Sequence, residues 1–127
     1  MLPITALYAG LLGLLLIGLA FRVSHLRRRM RAGLGDANDT TLQRAIRVHG
    51  NATEYVPLGL VLLAVLELNG SATWLLHILG SVLLIGRCLH AWGLNASSGA
   101  TPPRVIGTAA TWLVLLIAAV LNIVGAL

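Results

Sequence analysis

The chain has 127 residues, of which 57% are hydrophobic and 10% are charged, and its formal net charge is +5. A soluble domain has roughly 25% charged residues, so this composition excludes an ordinary water-soluble domain and indicates a protein whose solvent is the lipid bilayer. The length suits one domain over residues 1–127, formed by four spans of about 20 residues each with short turns.

The first predicted span runs from about Pro3 to Val23, because no charged residue precedes Arg22 and proline is tolerated in the first turn of a helix. We expect a retained helix and not a cleaved signal peptide, since no basic segment precedes the apolar run. A connector rich in Gly, Asp and Asn follows. Three residues there are candidates for the N-cap of the next helix: Asp39, Thr40 and Thr41.

The other predicted spans cover about residues 41–68, 73–95 and 103–127. The turn NGSA separates the second span from the third, and the segment ASSGATPP separates the third from the fourth. Glu67, near the end of the second span, is expected to reach water among the lipid headgroups. The predicted fold class is therefore all-α, an integral membrane bundle of four transmembrane helices.

Basic residues are confined to one side of this predicted topology. The first connection carries the cluster RRRMR and the third carries Arg104, whereas the second connection and both termini carry no Arg or Lys. The positive-inside rule then predicts that the first and third loops are cytoplasmic and that both termini lie outside. Arginines beside anionic lipid account for the net charge, so we reject nucleic-acid binding.

The sequence has no pattern for a disulfide or a metal site. Cys88 is the single cysteine, and the four histidines are dispersed without a useful ligand spacing. We therefore expect no metal.

A polar stripe in the segment RAIRVHGNATEYVP is the most informative feature. At about 100° per residue, five polar side chains share one face of the second span: Arg44, Arg47, Asn51, Glu54 and Tyr55. Arg87 and His90 share a face of the third span. If the two faces meet, they form a pocket for a small polyanion with an amine, because guanidinium groups bind carboxylates and Glu54 accepts from an ammonium.

A structural role explains the same residues more simply. Glu54 needs a cation, which either Arg47 or Arg87 would supply, and such a pair would lock the bundle without binding any ligand. Arg44, at the start of a helix, would anchor that helix at the lipid headgroups. Both interpretations, a ligand site and a structural network, stay open at this stage.

The stripe resembles the signature of the membrane-associated proteins in eicosanoid and glutathione metabolism, a superfamily that includes microsomal glutathione transferases. The matching residues are Arg44, Arg47, Asn51, Glu54, Tyr55 and Pro57. Four spans at matching spacing extend the resemblance over nearly the whole chain, which is most similar to the short bacterial members. The resemblance implies a homotrimer in the bacterial inner membrane, with glutathione bound between subunits near the cytoplasmic face.

The resemblance also implies roles for individual residues. Its implied partners are two further copies of the chain in a homotrimer, membrane lipid and a small-molecule thiol. Glutathione, as co-substrate, would be held by Arg44, Arg47, Asn51, Glu54, Tyr55, His90 and one arginine of the first helix. That arginine is one of Arg27, Arg28 and Arg29, and we select Arg28. Arg87 and Arg104 would be the catalytic residues that stabilise a thiolate.

The implied function is that of a membrane-bound glutathione-dependent transferase or peroxidase acting on apolar electrophiles. Strongly conjugating members have tyrosines in the third span, where this chain has His90 and Leu94. Ligand binding is therefore better supported than thiolate activation. The alternative is a non-enzymatic protein that binds glutathione or lipid, or a scaffold.

Overall fold

A computed structural model describes residues 1–127, and four α-helices contain most of them. The helices are α1 (Pro3–Met30), α2 (Thr40–Leu68), α3 (Thr73–Ala96) and α4 (Pro102–Gly125). Each is long and apolar enough to cross a membrane. The prediction of an all-α chain with four helices long and apolar enough to span a membrane is confirmed.

The first helix is longer than its apolar run, because α1 ends at Met30 and not near Val23. Its last turn contains Arg27, Arg28 and Arg29, and cations stabilise the negative end of a helix dipole. Arg31 then adopts a left-handed conformation with φ 52° and ends the helix. The apolar pattern of the sequence indicates only the uncharged part of α1, and the helix continues through the charged turns that follow it.

The connection between α1 and α2 ends in a defined cap. Of the three candidates, Asp39 is the residue that caps α2: its Oδ1 accepts from the backbone N–H of Thr41 at 2.8 Å and of Leu42 at 2.9 Å. An aspartate at this position also suits the positive end of the helix dipole. The cap fixes where the polar stripe of α2 begins.

Helices α2 and α3 occupy the centre of the bundle. α1 packs on both of them from one side and α4 packs on both from the other, so α1 and α4 do not contact each other. The main apolar core includes Tyr8, Leu12, Val56, Leu83 and Val114. We call the end at which α1 and α3 end, and α2 and α4 begin, the basic end, because it holds the arginine-rich connection.

The closest helix packing is between α3 and α4, at glycines. A Cβ atom on Gly93 would lie 2.5 Å from the backbone nitrogen of Arg104, and one on Gly107 would clash with the carbonyl oxygen of Gly86. Only glycine permits this approach of two backbones. The packing brings the start of α4, including Arg104, against the end of α3.

The carboxylate of Glu67 binds the start of α1 at the end opposite to the basic end. Its Oε1 accepts from the backbone N–H of Ile4 at 2.9 Å, and its Oε2 accepts from that of Thr5 at 2.7 Å. α1 has no side-chain cap of its own. Glu67 therefore satisfies two N–H groups that the start of a helix leaves unpaired, a role that the expectation of headgroup water did not include.

Replacing Glu67 with alanine should remove this cap. We expect Glu67→Ala to lower the free energy of unfolding by about 1–2 kcal/mol, the usual loss of an N-cap. Unfolding in mixed micelles titrated with sodium dodecyl sulfate would measure it. Leu68→Ala is the control, because Leu68 is 67% exposed and makes no such contact. An equal loss in both variants would contradict the capping role.

Candidate functional site

A cavity of about 190 Å³ lies at the basic end, between α2, α3 and the start of α4, and we call it the main cavity. Eight residues line it: Gln43, Arg44, Arg47, Asn51, His90, Leu94, Ser98 and Arg104. Three of these are arginines, and no carboxylate lines the cavity. The faces of α2 and α3 that carry the polar residues therefore meet, which is the condition on which the predicted pocket depends.

Arg44 both contacts the end of α3 and lines the main cavity. Its Nη1 donates to the carbonyl oxygen of Ala96 at 3.2 Å, at the end of α3 where carbonyl groups lack helical partners. Its Nε is buried and has no partner in the chain. The guanidinium thus holds the end of α3 and keeps one donor for a ligand.

Arg47 is the cation that pairs with Glu54. Its Nη1 lies 3.5 Å from Glu54 Oε1, and the two side chains are 60% and 54% exposed. An exposed pair of this kind contributes about 0–1 kcal/mol to stability. The pair is therefore weak enough for Arg47 to release Glu54 and bind the carboxylate of a ligand instead. Glu54 itself does not line the main cavity.

Arg87 is buried, with 2% of its surface exposed, and it does not line the main cavity. Its Nη1 donates to Asn51 Oδ1 at 2.6 Å, its Nε to Thr111 Oγ1 at 2.9 Å, and its Nη2 to the Gly107 carbonyl oxygen at 3.3 Å. Its Cζ lies 5.5 Å from the centre of the Tyr55 ring. The guanidinium thus connects α2, α3 and α4 through uncharged groups.

The bond from Arg87 determines which end of the Asn51 amide remains free. Since Arg87 has donors only, the atom of Asn51 that faces it must be the acceptor, Oδ1. The Nδ2 group of Asn51 makes no hydrogen bond within the chain, and Asn51 lines the main cavity. Asn51 therefore offers a donor to a ligand.

His90 and Arg104 complete the wall formed by α3 and α4. His90 is 4% exposed and lines the main cavity one turn beyond Arg87. Arg104 Nη1 donates to the carbonyl oxygens of Ser98 at 3.0 Å and Gly99 at 3.1 Å, so it folds the connection before α4 against the cavity. Arg104 thereby contributes positive charge beside the cavity.

Arg27 and Arg28 both line a cavity on α1, but only Arg27 also lines a cavity that shares residues with the main cavity. Arg28 lines a different cavity of about 420 Å³ on α1 and does not reach the main cavity. Arg27 lines a third cavity of about 350 Å³ together with Gln43 and Arg47, which also line the main cavity. Within this subunit, Arg27 is therefore the α1 arginine that shares a cavity with residues of the main cavity, and the predicted Arg28 is not.

Five of the predicted site residues line the main cavity: Arg44, Arg47, Asn51, His90 and Arg104. Four others do not: Arg28, Glu54, Tyr55 and Arg87. Three lining residues were not predicted as ligand residues: Gln43, Leu94 and Ser98. Gln43 precedes Arg47 by one helical turn, so the periodicity of the stripe could have predicted that Gln43 lies on the same face. Ser98 lies in the connection between α3 and α4, where no helical periodicity predicts which way its side chain points.

Comparison with known proteins gives a consistent result. The model of the MAPEG family matches residues 5–124. The "Inner membrane protein YecN" of Escherichia coli K12 is 43% identical to this chain over 120 residues, which are 94% of this chain and 90% of that protein. The protein of the same name from Escherichia coli O6:H1, strain CFT073, matches with the same values.

Proposed function

Since this chain belongs to the MAPEG family, we propose that it binds glutathione in an inner membrane and acts as a glutathione-dependent transferase or peroxidase, in which the glutathione thiolate attacks apolar electrophiles. The observation that carries this proposal is the main cavity, which three arginines line without any carboxylate. Such a cavity favours an anion, and the two carboxylates of glutathione each match the donor fork of a guanidinium. Family membership selects glutathione among small anions.

We assign the contacts with glutathione from the free donors of the main cavity. Arg44 has an unpaired Nε, Arg47 has only an exposed pair with Glu54, and Asn51 has a free Nδ2. These donors would hold the carboxylates and one carbonyl oxygen. Glu54, released from Arg47, would accept from the ammonium of glutathione. His90 and Arg104 would enclose the ligand from α3 and α4.

We further propose that the working unit is a homotrimer with glutathione between subunits and the basic end in the cytoplasm. Glu54 and Arg47 are half-exposed in one subunit, which leaves room for a second copy to complete the site. The distribution of arginines supports this orientation through the positive-inside rule.

Arg104 is the residue that we assign to the chemistry. A guanidinium lowers the pKa of the nearby thiol of glutathione, because it favours the anion, and the thiolate is the nucleophile. With an aryl chloride, the thiolate forms a carbon–sulfur bond, chloride leaves with the electrons of the carbon–chlorine bond, and the thiol proton passes to water. With a hydroperoxide, two glutathione molecules are oxidised to the disulfide, and the products are an alcohol and water.

Arg87 takes a different role from the catalytic one that the sequence predicts. All three of its donor nitrogens are engaged by Asn51, Thr111 and Gly107, and it is buried outside the main cavity. We therefore propose it as a positioning residue, which holds Asn51 with its Nδ2 free for the ligand.

A non-enzymatic protein that binds glutathione is the second candidate. The observation that favours it is that no tyrosine lines the main cavity, since Tyr55 packs on Arg87 instead. A hydroxyl donor near the sulfur would otherwise help to stabilise a thiolate.

Glutathione should stabilise the folded protein through the main cavity. At a concentration of 100 times its dissociation constant, a ligand of the folded state contributes about 2.7 kcal/mol. We expect Arg47→Gln to weaken glutathione binding about tenfold or more, since a charge-assisted contact is lost. Arg29→Gln is the control, because it removes the same charge outside every cavity. Melting curves in neutral detergent give both affinities. Equal weakening in the two variants would refute this site.

Turnover distinguishes the two candidates. Purified protein is given glutathione and 1-chloro-2,4-dinitrobenzene, and both conjugate formation and the ultraviolet absorbance of a bound thiolate are followed. Product that disappears in Arg104→Leu, while glutathione still raises the melting temperature, supports the transferase. Stabilisation by glutathione with neither product nor thiolate absorbance supports the binding protein.

A further inference from the structure

A second basic cavity, of about 420 Å³, lies on the last turns of α1, and we call it the α1 cavity. Its lining residues are Ser24, Arg27, Arg28, Arg31, Ala32 and Gly33. The chain has one salt bridge, between Arg47 and Glu54, so none of the three arginines here has a carboxylate partner. The Nη1 of Arg27 is also buried without an acceptor. Three guanidinium groups thus line an open recess that has no carboxylate in its lining.

The α1 cavity lies at the depth of the lipid headgroups. The contact of Glu67 with the N–H groups of Ile4 and Thr5 marks the opposite end of the bundle. A helix rises 1.5 Å per residue, so it crosses about 30 Å of hydrocarbon in about 20 residues. Counted from Thr5, the hydrocarbon ends close to Ser24, where the α1 cavity begins. Its arginines are therefore level with phosphate groups.

An apolar stripe on α1 leads directly into this cavity. Leu14, Ile17 and Phe21 are 69%, 68% and 70% exposed. Their spacing of three and then four residues continues through Ser24 and Arg28, so these five positions lie on one side of the helix. Arg31, the left-handed residue that ends α1, lines the same cavity. The same side of α1 thus offers an apolar surface inside the membrane and the α1 cavity at its edge.

We propose that the α1 cavity binds the phosphate of an anionic glycerophospholipid, with an acyl chain along Leu14, Ile17 and Phe21. Guanidinium groups bind phosphate oxygens bidentately, and the absence of a lining carboxylate favours a headgroup with net negative charge over a zwitterionic one. None of the six lining residues lines the main cavity, so this proposal does not rest on glutathione binding. The lipid would fix the rotation of α1 at the membrane edge.

The competing explanation is that the arginines form a diffuse positive surface that only orients the protein. It predicts that every arginine of the cluster contributes equally to the attraction of anionic lipid. Arg22 and Arg29 belong to the same cluster but line no cavity. They also lie on a different side of α1 from Arg28. The chain therefore contains a matched control for the cavity.

The experiment compares two double variants with the same change in charge. One removes the cavity arginines, Arg28→Gln with Arg31→Gln, and the other removes the control arginines, Arg22→Gln with Arg29→Gln. Each protein is purified in neutral detergent with phosphatidylcholine and titrated with phosphatidylglycerol, and the rise in melting temperature gives an apparent affinity. We expect the cavity variant to bind about tenfold more weakly than the control variant.

Three outcomes would overturn the proposal. Equal weakening in both double variants would indicate a diffuse surface. Inorganic phosphate alone, if it reproduced the whole stabilisation, would assign the cavity to a free anion, and phosphatidylcholine, if it did so, would assign the effect to the apolar stripe. Arg28→Lys with Arg31→Lys provides a variant that keeps the charge. We expect it to bind between wild type and the cavity variant, because lysine lacks the planar donor fork.

Discussion

Gly107→Ala is expected to lower the free energy of unfolding by about 2–3 kcal/mol, the upper part of the range for overpacked positions. A Cβ atom there would lie 2.6 Å from the backbone nitrogen of His90 and 3.0 Å from its Cα, and it would clash with the carbonyl oxygen of Gly86. All of these are backbone atoms, which cannot rotate away as a side chain can. The bundle would have to separate α3 from α4.

The same change should also damage the main cavity. The carbonyl oxygen of Gly107 accepts from Arg87, and Arg104 lies one turn before Gly107 on α4. Separation of the two helices would therefore displace both arginines, and we expect glutathione binding to weaken together with stability. Sodium dodecyl sulfate titration in mixed micelles would measure the stability, and melting curves would measure binding.

Gly10→Ala is the matched control for this prediction. A Cβ atom on Gly10 meets no other atom within 4 Å in the chain, and alanine is favoured over glycine in a helix by roughly 0.5–1 kcal/mol. We expect stability to stay unchanged or to rise slightly. If Gly10→Ala destabilised the protein as much as Gly107→Ala, close packing of α3 and α4 would not be the cause.

Arg87→Met is expected to weaken glutathione binding about tenfold while the protein stays folded. Methionine fills most of the aliphatic volume, but it leaves Asn51 Oδ1 and Thr111 Oγ1 without the donor that each has now. Unsatisfied buried groups cost about 1–3 kcal/mol each, whereas removal of a buried charge offsets part of that cost. The net loss of stability should therefore be about 2 kcal/mol, and the larger effect should be on the orientation of Asn51.

Two further variants test whether Arg87 acts by positioning. Arg87→Lys keeps a charged donor and should recover part of the glutathione affinity. Cys88→Ala is the control, because Cys88 follows Arg87 on α3 but is exposed on another side. Affinity is compared at a temperature at which all variants are folded. If Arg87→Met abolished thiolate absorbance with unchanged affinity, Arg87 would be catalytic and the positioning role would be wrong.

The polar stripe shows how far helix periodicity reaches. Arg44, Arg47 and Asn51 share a face of α2 because the helix repeats every 3.6 residues, and all three line the main cavity. Glu54 shares that face but does not line the cavity. Periodicity determines which side chains share a face, whereas the walls supplied by α3 and α4 determine how much of the face is enclosed.

The arginines also show the difference between what helix periodicity determines and what tertiary packing determines. Arg27 and Arg28 are neighbours about 100° apart on α1, and both line the α1 cavity. The rotation of α1 against α2 decides that only Arg27 also lines the third cavity, which shares Gln43 and Arg47 with the main cavity. From the sequence alone, Arg87 is indistinguishable from an arginine that binds a ligand. Its acceptors are on other helices, so only the assembled bundle determines that it is buried and that each of its three nitrogens donates a hydrogen bond.

The sequence by itself determined the four spans, their approximate limits and the face of α2 that carries the polar groups, because each depends on residues a few positions apart. The tertiary structure alone decided the burial of Arg87 against Asn51 and the capping of α1 by Glu67. The first of these leaves Arg47, on the same helix as Glu54, as the cation that pairs with that carboxylate. The contacts of Arg87 and Glu67 join residues on different helices. They depend on helix rotation and register, which are set by packing, including the approach of Gly86 to Gly107, and not by any local pattern.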